Sequence, residues 1–185
     1  MIEVAAVKDK AMVKRIENLL RDKSDIYGDV WAIGLNMALR ISDLLSLTFS
    51  DVTGERVAIA EGKTGKKRII KITPSARAII EKRRAANPEH VYLFQSASNR
   101  SKALGKPITR FAVAKAFKEV GERNSVQVNI GTHSMRKTRG YFMHSAGVPI
   151  ERIAAMLNHS SPATTMRYIG LDQEVLDKDY DDFDL

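Results

Sequence analysis

Apolar residues recur every three or four positions along most of the chain and follow a strand-like pattern in only one region. This spacing predicts amphipathic helices over roughly 8–22, 25–37, 41–47, 74–86, 109–121, 132–146, 149–158 and 161–170. Thr73 and Thr132 stand where N-caps are expected, and Pro74 follows at the first helical position, where proline is tolerated. The chain is therefore predicted to be mostly helical.

A hairpin interrupts the helices before the middle of the sequence. Residues 56–60 and 68–72 are rich in Val, Ile and Ala, and the segment between them contains Gly62 and Gly65. This pattern is typical of two antiparallel strands. Residues 92–94 are also predicted to be extended. The expected fold class is mainly α with a small antiparallel β-sheet (α+β), in one domain over 1–171 that precedes an acidic tail, 172–185.

Charge is distributed unevenly along the 185 residues. The chain has 30 basic and 22 acidic side chains, a net charge of +8. The tail holds seven acids and one base, so 29 bases and 15 acids remain in residues 1–171, a net charge of +14. A body this basic favours a polyanionic partner such as nucleic acid, although a solubilising surface explains the charge equally well.

Composition excludes several classes of protein and site. The absence of cysteine excludes disulfides and thiolate chemistry. No apolar run approaches the roughly 18 residues of a membrane span, and no signal peptide is present, so a cytoplasmic protein is expected. His133 and His144 would lie about 16 Å apart on one helix, and no HExxH motif occurs. Neither a metal nor another cofactor is expected.

A few charged or titratable residues could bind an anion or form an ion pair. His133 and Arg136, three apart near the start of a helix, form either an anion-binding pair or an ordinary solvated pair. Arg40 follows an apolar run, and Asp43 is placed to pair with it. Lys63 lies in the glycine-bounded loop of the hairpin, and a flexible loop there could move its ammonium group.

The order of these residues resembles the tyrosine recombinases, or phage-type integrases. The resemblance rests on five segments in order over about 8–172: 38–44, 63–66, 132–138, 157–161 and 165–170, the last of which contains Tyr168. It implies the tyrosine recombinase catalytic-domain fold. It also implies a site-specific recombinase or integrase of a mobile element, which cleaves and rejoins DNA through a covalent 3′-phosphotyrosine.

The resemblance implies a role for each site residue. Arg40 and Arg136 resemble the arginines that grip the non-bridging oxygens of the scissile phosphate. Guanidinium groups suit this task because they stay charged and match phosphate geometry. Lys63 resembles the lysine that protonates the leaving 5′ oxygen, and Asp43 resembles an acid that supports the site.

Tyr168 resembles the nucleophile of the family. His133 would assist proton transfer at its hydroxyl, and His159 would hydrogen-bond the phosphate. A phenol needs such help because its ordinary pKa is near 10. The competing tyrosines are less suitable, being in apolar surroundings, on another helix face or in the acidic tail: Tyr27, Tyr92, Tyr141 and Tyr180.

The expected partner is double-stranded DNA, bound by a homo-oligomer, a tetramer, with no membrane and no small-molecule substrate. Candidate phosphate contacts are Lys66, Lys67, Arg68, Lys71 and Arg110. The bases of the helix after the hairpin fit DNA contact and a solvated face equally well: Arg77, Lys82, Arg83 and Arg84. The tail would dock on a neighbouring protomer or fold back on its own basic surface.

The family usually carries an N-terminal core-binding domain, for which this sequence has no room. It is either a piece of a longer protein or a naturally minimal catalytic domain, and the early start of the first helix favours the second. Two other functions stay open. One is a type IB topoisomerase-like relaxing enzyme, and the other is a DNA-binding regulator that does not cut.

Overall fold

The computed structural model describes residues 4–60, 62, 65, 67–96, 105–171, 177, 180–182 and 184. Its helices are α1 (Lys10–Lys23), α2 (Asp25–Met37), α3 (Ile41–Leu45), α4 (Pro74–Ala86), α5 (Arg110–Arg123), α6 (Ser134–Ser145), α7 (Ile150–Leu157) and α8 (Pro162–Ile169). Strands β1 (Arg56–Ala60) and β2 (Lys67–Lys71) form an antiparallel pair. The predicted fold class, mainly α with a small antiparallel sheet, is confirmed. Within the described residues, no helix is long and apolar enough to cross a membrane.

Short polar side chains begin several of the helices. Asp9, Thr73, Thr109 and Ser161 each accept a hydrogen bond from the backbone amide three residues further on. Such a bond satisfies an amide that the helix itself leaves unpaired. The prediction that Thr132 caps α6 is wrong, because the N-cap position is taken by His133. The side chain of His133 makes no capping bond, so it can take part in the site.

The extended segments differ in two places from those that the sequence suggests. β2 begins and ends one residue earlier than predicted, with Arg56 opposite Lys71 in the ladder. Residues 92–94 do not form a strand. Instead, Tyr92 and Gln95 make isolated antiparallel bridges with Thr48 and Pro107. One bridge joins the loop after α3 to the segment between α4 and α5, and the other lies within that segment.

The core has a large part and a small part. Trp31 and Phe117 meet edge to face in the large part, with ring centroids 5.6 Å apart, and neither is exposed. The small part lies around α7 and α8 and includes Leu157 and Ile169. A Cβ on Gly140 of α6 would come within 2.6 Å of Ile169, so α8 packs closely on α6 only because residue 140 is glycine.

A buried charge network joins α1, α2 and α4. Asp29 accepts hydrogen bonds from Arg21 at 2.7 Å and from Arg83 at 2.8 Å. Arg83 also donates to the carbonyl of Leu93 at 2.8 Å, and only 8% of the residue is exposed. Arg83 is therefore an interior residue, and neither DNA contact nor a solvated face describes it.

Candidate active site

Four of the other five proposed catalytic residues converge around Tyr168. Its hydroxyl lies 3.1 Å from Nδ1 of His133 at the start of α6. The ring of His159 stands nearly perpendicular to that of Tyr168, with centroids 4.7 Å apart. Arg136 and Arg40 both act electrostatically on the phenol. The segments that carry these residues are far apart in sequence, so the fold is what assembles the site.

A further cation near Tyr168 was not identified from the sequence. The ammonium group of Lys137 lies 5.3 Å from the centroid of the Tyr168 ring, and 8% of the residue is exposed. A cation over the face of an aromatic ring is attracted by the ring's electrons. The available signal was weak, because Lys137 is notable only for following Arg136 directly.

The protonation of Tyr168 and His133 is set by burial and charge. Burial raises the pKa of Tyr168 above 10, and Arg136 and Arg40 oppose this rise. Burial lowers the pKa of His133 below 6.5, and nearby cations, Arg136 foremost, lower it further. At neutral pH, a neutral phenol therefore faces a neutral imidazole. The hydroxyl can donate its hydrogen to Nδ1, provided that His133 carries its own proton on Nε2.

Arg136 binds protein backbone as well as interacting with Tyr168. Its Nη1 donates to the carbonyl of Ala38, and its Nη2 donates to the carbonyl of Leu157 at 2.7 Å. Ala38 adopts a left-handed conformation with φ of 50°, which L-residues rarely adopt. Arg40 and His159 each follow one of these carbonyls by two residues. One guanidinium therefore fixes the two segments that carry other site residues.

Burial lowers the pKa of Arg136, while the hydroxyl of Tyr168 raises it. The ordinary value of an arginine is so far above neutral that the group stays charged. Arg136 is 2% exposed, and a charge so deeply buried attracts an anion strongly because solvent screens it little.

Asp43 joins α3 to the hairpin. Its Oδ1 accepts hydrogen bonds from the backbone amide of Gly62 at 3.2 Å and from the hydroxyl of Ser42 at 3.3 Å. The ion pair with Arg40 that the sequence suggested is not among the interactions of the described residues. Asp43 is 7% exposed. Its observed partners connect α3 to Gly62 in the loop between the two strands.

Lys63 and Lys66 lie outside the described residues, so their places in the site stay predictions. The other basic candidates border the site in two ways. Lys67 and Lys71 are exposed on the outer face of β2. Arg68 is half-buried on the inner face, where its guanidinium donates to the carbonyl of Met156 at the end of α7.

Arg110 is exposed at the first position of α5, and its charge contributes to the low pKa of His133. The start of α5 therefore borders the site. In the part of the chain that the structure describes, no group of three or more His, Asp or Glu side chains could hold a metal ion.

The other described tyrosines have different surroundings. The ring of Tyr141 is covered by the ammonium group of Lys8 at 5.4 Å. Tyr180, in the described part of the tail, is 78% exposed. Tyr27 and Tyr92 are half-buried, and Tyr27 packs against the main core. Tyr168 differs from these four tyrosines because its hydroxyl contacts the ring nitrogen of a histidine and two arginines act on it electrostatically.

Comparison with known proteins shows what the chain is similar to. The profile of the phage integrase family matches residues 10–174. The probable integrase/recombinase YoeC of Bacillus subtilis (strain 168) is 34% identical over 172 residues, which is 92% of each protein. The chain spans 42% to 52% of the length of other curated relatives that it matches.

Solved structures show the same fold at lower identity. The crystal structure of XerA recombinase has a TM-score of 0.75 and 18% identity, covering 100% of this chain and 66% of that one. A lambda integrase tetramer bound to a Holliday junction has a TM-score of 0.73 and 13% identity, covering 91% of this chain and 48% of that one. The chain therefore belongs to the phage integrase family of tyrosine recombinases.

Proposed function

We propose that this protein is a site-specific DNA recombinase that cuts and rejoins DNA through a covalent bond between Tyr168 and a 3′ phosphate. The observation that carries the proposal is the hydroxyl of Tyr168, 3.1 Å from Nδ1 of His133 and within the electrostatic reach of Arg40 and Arg136. A nucleophile, a base and two cations are the groups that phosphodiester cleavage requires.

In the proposed reaction, the oxygen of Tyr168 attacks the scissile phosphorus while its proton passes to Nδ1 of His133. A bond forms between phosphorus and the phenol oxygen, and the bond to the 5′ oxygen of DNA breaks. Lys63 gives the leaving 5′ oxygen a proton. A 5′ hydroxyl of another strand then attacks the phosphotyrosine in the reverse sense, so rejoining needs no external energy source.

Arg40 and Arg136 stabilise the negative charge that accumulates on the non-bridging oxygens. The Arg136 side chain is nearly inaccessible to solvent and is held by two carbonyls. It therefore needs little reorganisation when the phosphate arrives, which is how a preorganised site lowers a barrier. His159 adds a hydrogen bond to the phosphate, and Asp43 holds the hairpin that carries Lys63.

The DNA face in this proposal includes Lys67, Lys71 and Arg110, which are exposed. Arg68 braces β2 against α7 from the inner side.

The active form is a homotetramer on double-stranded DNA, as in the similar tetramer of lambda integrase on a Holliday junction. The tail, 172–185, would contact a neighbouring protomer. The protein would work on DNA in the cytoplasm, at the nucleoid, of a bacterial, archaeal or phage-infected cell.

The test begins with duplexes that the purified protein selects from a random-sequence pool. Nicked versions of these duplexes trap a covalent complex, because the short strand released by cleavage diffuses away. We expect an adduct that survives SDS and that Tyr168→Phe abolishes without loss of DNA binding. Tyr180→Phe is the matched control, since it removes the hydroxyl of an exposed tyrosine, and it should leave the adduct intact.

Other outcomes would overturn the proposal. An adduct that persists in Tyr168→Phe and disappears in Tyr180→Phe would move the nucleophile to the tail. Relaxation of supercoiled plasmid without any recombinant product would indicate a topoisomerase-like enzyme. Tight binding with no adduct on any selected duplex would indicate a DNA-binding regulator that does not cut.

A further inference from the structure

The imidazole of His159 contacts the buried side chain of Thr165 in α8, the helix that also carries Tyr168. Nδ1 of His159 lies 3.0 Å from Oγ1 of Thr165. The same hydroxyl donates to the carbonyl of Ser161 at 3.2 Å. Thr165 has no exposed surface, so its hydroxyl has no access to bulk water. These two contacts together restrict where the hydrogens can be.

A threonine hydroxyl carries one hydrogen, and a carbonyl oxygen can only accept. If the hydrogen of Thr165 goes to Ser161, the bond to His159 must take its hydrogen from Nδ1. If it goes to Nδ1 instead, the contact with Ser161 has no hydrogen. The carbonyl of Ser161 also accepts from the amide of Thr165 at 3.3 Å, so it keeps a partner in both arrangements. The first arrangement is favoured because it makes one more hydrogen bond at a hydroxyl that water cannot reach.

We propose that Thr165 is a positioning residue that keeps the proton of neutral His159 on Nδ1, so that His159 donates a hydrogen bond to a phosphate only as the imidazolium. The part of this inference that concerns the phosphate rests on the proposed function. A phosphate contact through the other ring nitrogen, Nε2, needs a hydrogen there. Because Nδ1 already carries a hydrogen, adding one to Nε2 converts the ring to the positively charged imidazolium.

The charged and titratable groups around His159 support a proton uptake that is coupled to DNA binding. The Tyr168 ring faces it from α8. From α6, Arg136 binds the carbonyl of Leu157, two residues before His159. Arg136 disfavours a second positive charge in the DNA-free protein, while a bound phosphate favours one. His159 would thus become charged as DNA binds, whereas His133 must stay neutral to accept the proton of Tyr168.

The position of the proton can be measured without DNA. Nitrogen-15 NMR of the histidine rings of the whole protein distinguishes the two neutral forms, and His159→Asn identifies the signals by their loss. We expect the Nδ1–H form for His159 above its titration. Thr165→Val should shift it towards the Nε2–H form, while Thr165→Ser, which keeps the hydroxyl, should not.

An Nε2–H form in the unchanged protein, or spectra that Thr165→Val leaves unaltered, would overturn the proposal. If Thr165→Val does not fold, the spectra of the unchanged protein and of Thr165→Ser still decide. Because this measurement uses no DNA, its outcome is independent of whether the protein recombines DNA.

The functional consequence is tested with the selected nicked duplexes. We expect the rate of adduct formation to fall at alkaline pH as His159 loses its charge. Thr165→Val should remove this fall, because a neutral His159 with its proton on Nε2 can still donate. A residue with a merely structural role would lower the rate by the same factor at every pH, and that result would contradict the assignment.

Discussion

Nη2 of Arg136 donates a hydrogen bond of 2.7 Å to the carbonyl of Leu157, 21 residues further along the chain. Together with the bond from Nη1 to Ala38, this contact joins the end of α2 to the end of α7. The group proposed to bind the phosphate is thus also part of the interior. Substitution of Arg136 should therefore affect both stability and catalysis.

We expect Arg136→Lys to reduce the single-turnover rate of adduct formation by at least about 100-fold, as the loss of one preorganised charge-stabilising group does. The free energy of unfolding should fall by about 1–3 kcal/mol, because a lysine cannot satisfy both buried carbonyls. Urea denaturation measures this change. Arg152→Lys, at an exposed position of α7, is the control and should alter neither quantity. Full stability in Arg136→Lys would show that the two carbonyl bonds do not matter for folding.

The low pKa of His133 predicts where the rate of adduct formation falls at acidic pH, which is the acid limb of the pH profile. In the proposed reaction, neutral His133 accepts the proton of Tyr168, and protonated His133 cannot. Because burial and nearby cations hold its pKa below 6.5, the midpoint of the fall in rate at acidic pH should lie below 6.5. The measurement is the pH dependence of single-turnover adduct formation.

His133→Gln separates this titration from others. It should lower the rate about 100-fold or more at neutral pH, which is typical for loss of a general base, and the acid limb should vanish. An acid limb that persists unchanged in His133→Gln would assign the titration to another group.

The network around Asp29 predicts a stability effect distant from the site. Asp29→Ala leaves the guanidinium of Arg83 buried without its anion, and breaking such a pair costs about 3–5 kcal/mol. We expect a loss of this size in the free energy of unfolding. The control is Asp25→Ala, which removes a carboxylate 3.6 Å from Arg21 that is 69% exposed, and it should change stability by less than about 1 kcal/mol. Equal effects would mean that burial of the network is unimportant.

The exposed bases near the site predict a change in salt dependence. Each phosphate contact adds about 0.9 to the slope of log K against log salt concentration. Replacing Lys67, Lys71 and Arg110 with Ala should therefore lower the slope by up to about 2.7 for a selected duplex. Lys14→Ala is the control, because Lys14 is exposed on α1 and pairs with Glu17 at 3.2 Å. A slope that the triple substitution leaves unaltered would remove these residues from the DNA face.

The sequence by itself determined the local structure and the identity of the chemical groups. The spacing of apolar residues and the cap expected at Thr73 predict helices close to those observed, although the cap expected at Thr132 is replaced by His133. These features involve residues three or four positions apart, so local geometry is sufficient. The ordered motifs ending at Tyr168 pointed to a family whose profile matches residues 10–174.

Only the tertiary structure decided which partner each polar side chain meets. Asp43 binds the amide of Gly62 in the hairpin, and Arg83 enters the interior to meet Asp29, 54 residues away. Arg136 reaches backward to Ala38 and forward to Leu157. Such contacts join segments that are distant in sequence. Burial makes each unpaired charge or carbonyl costly, so the packing of the whole chain selects the partners, and local spacing carries no information about them.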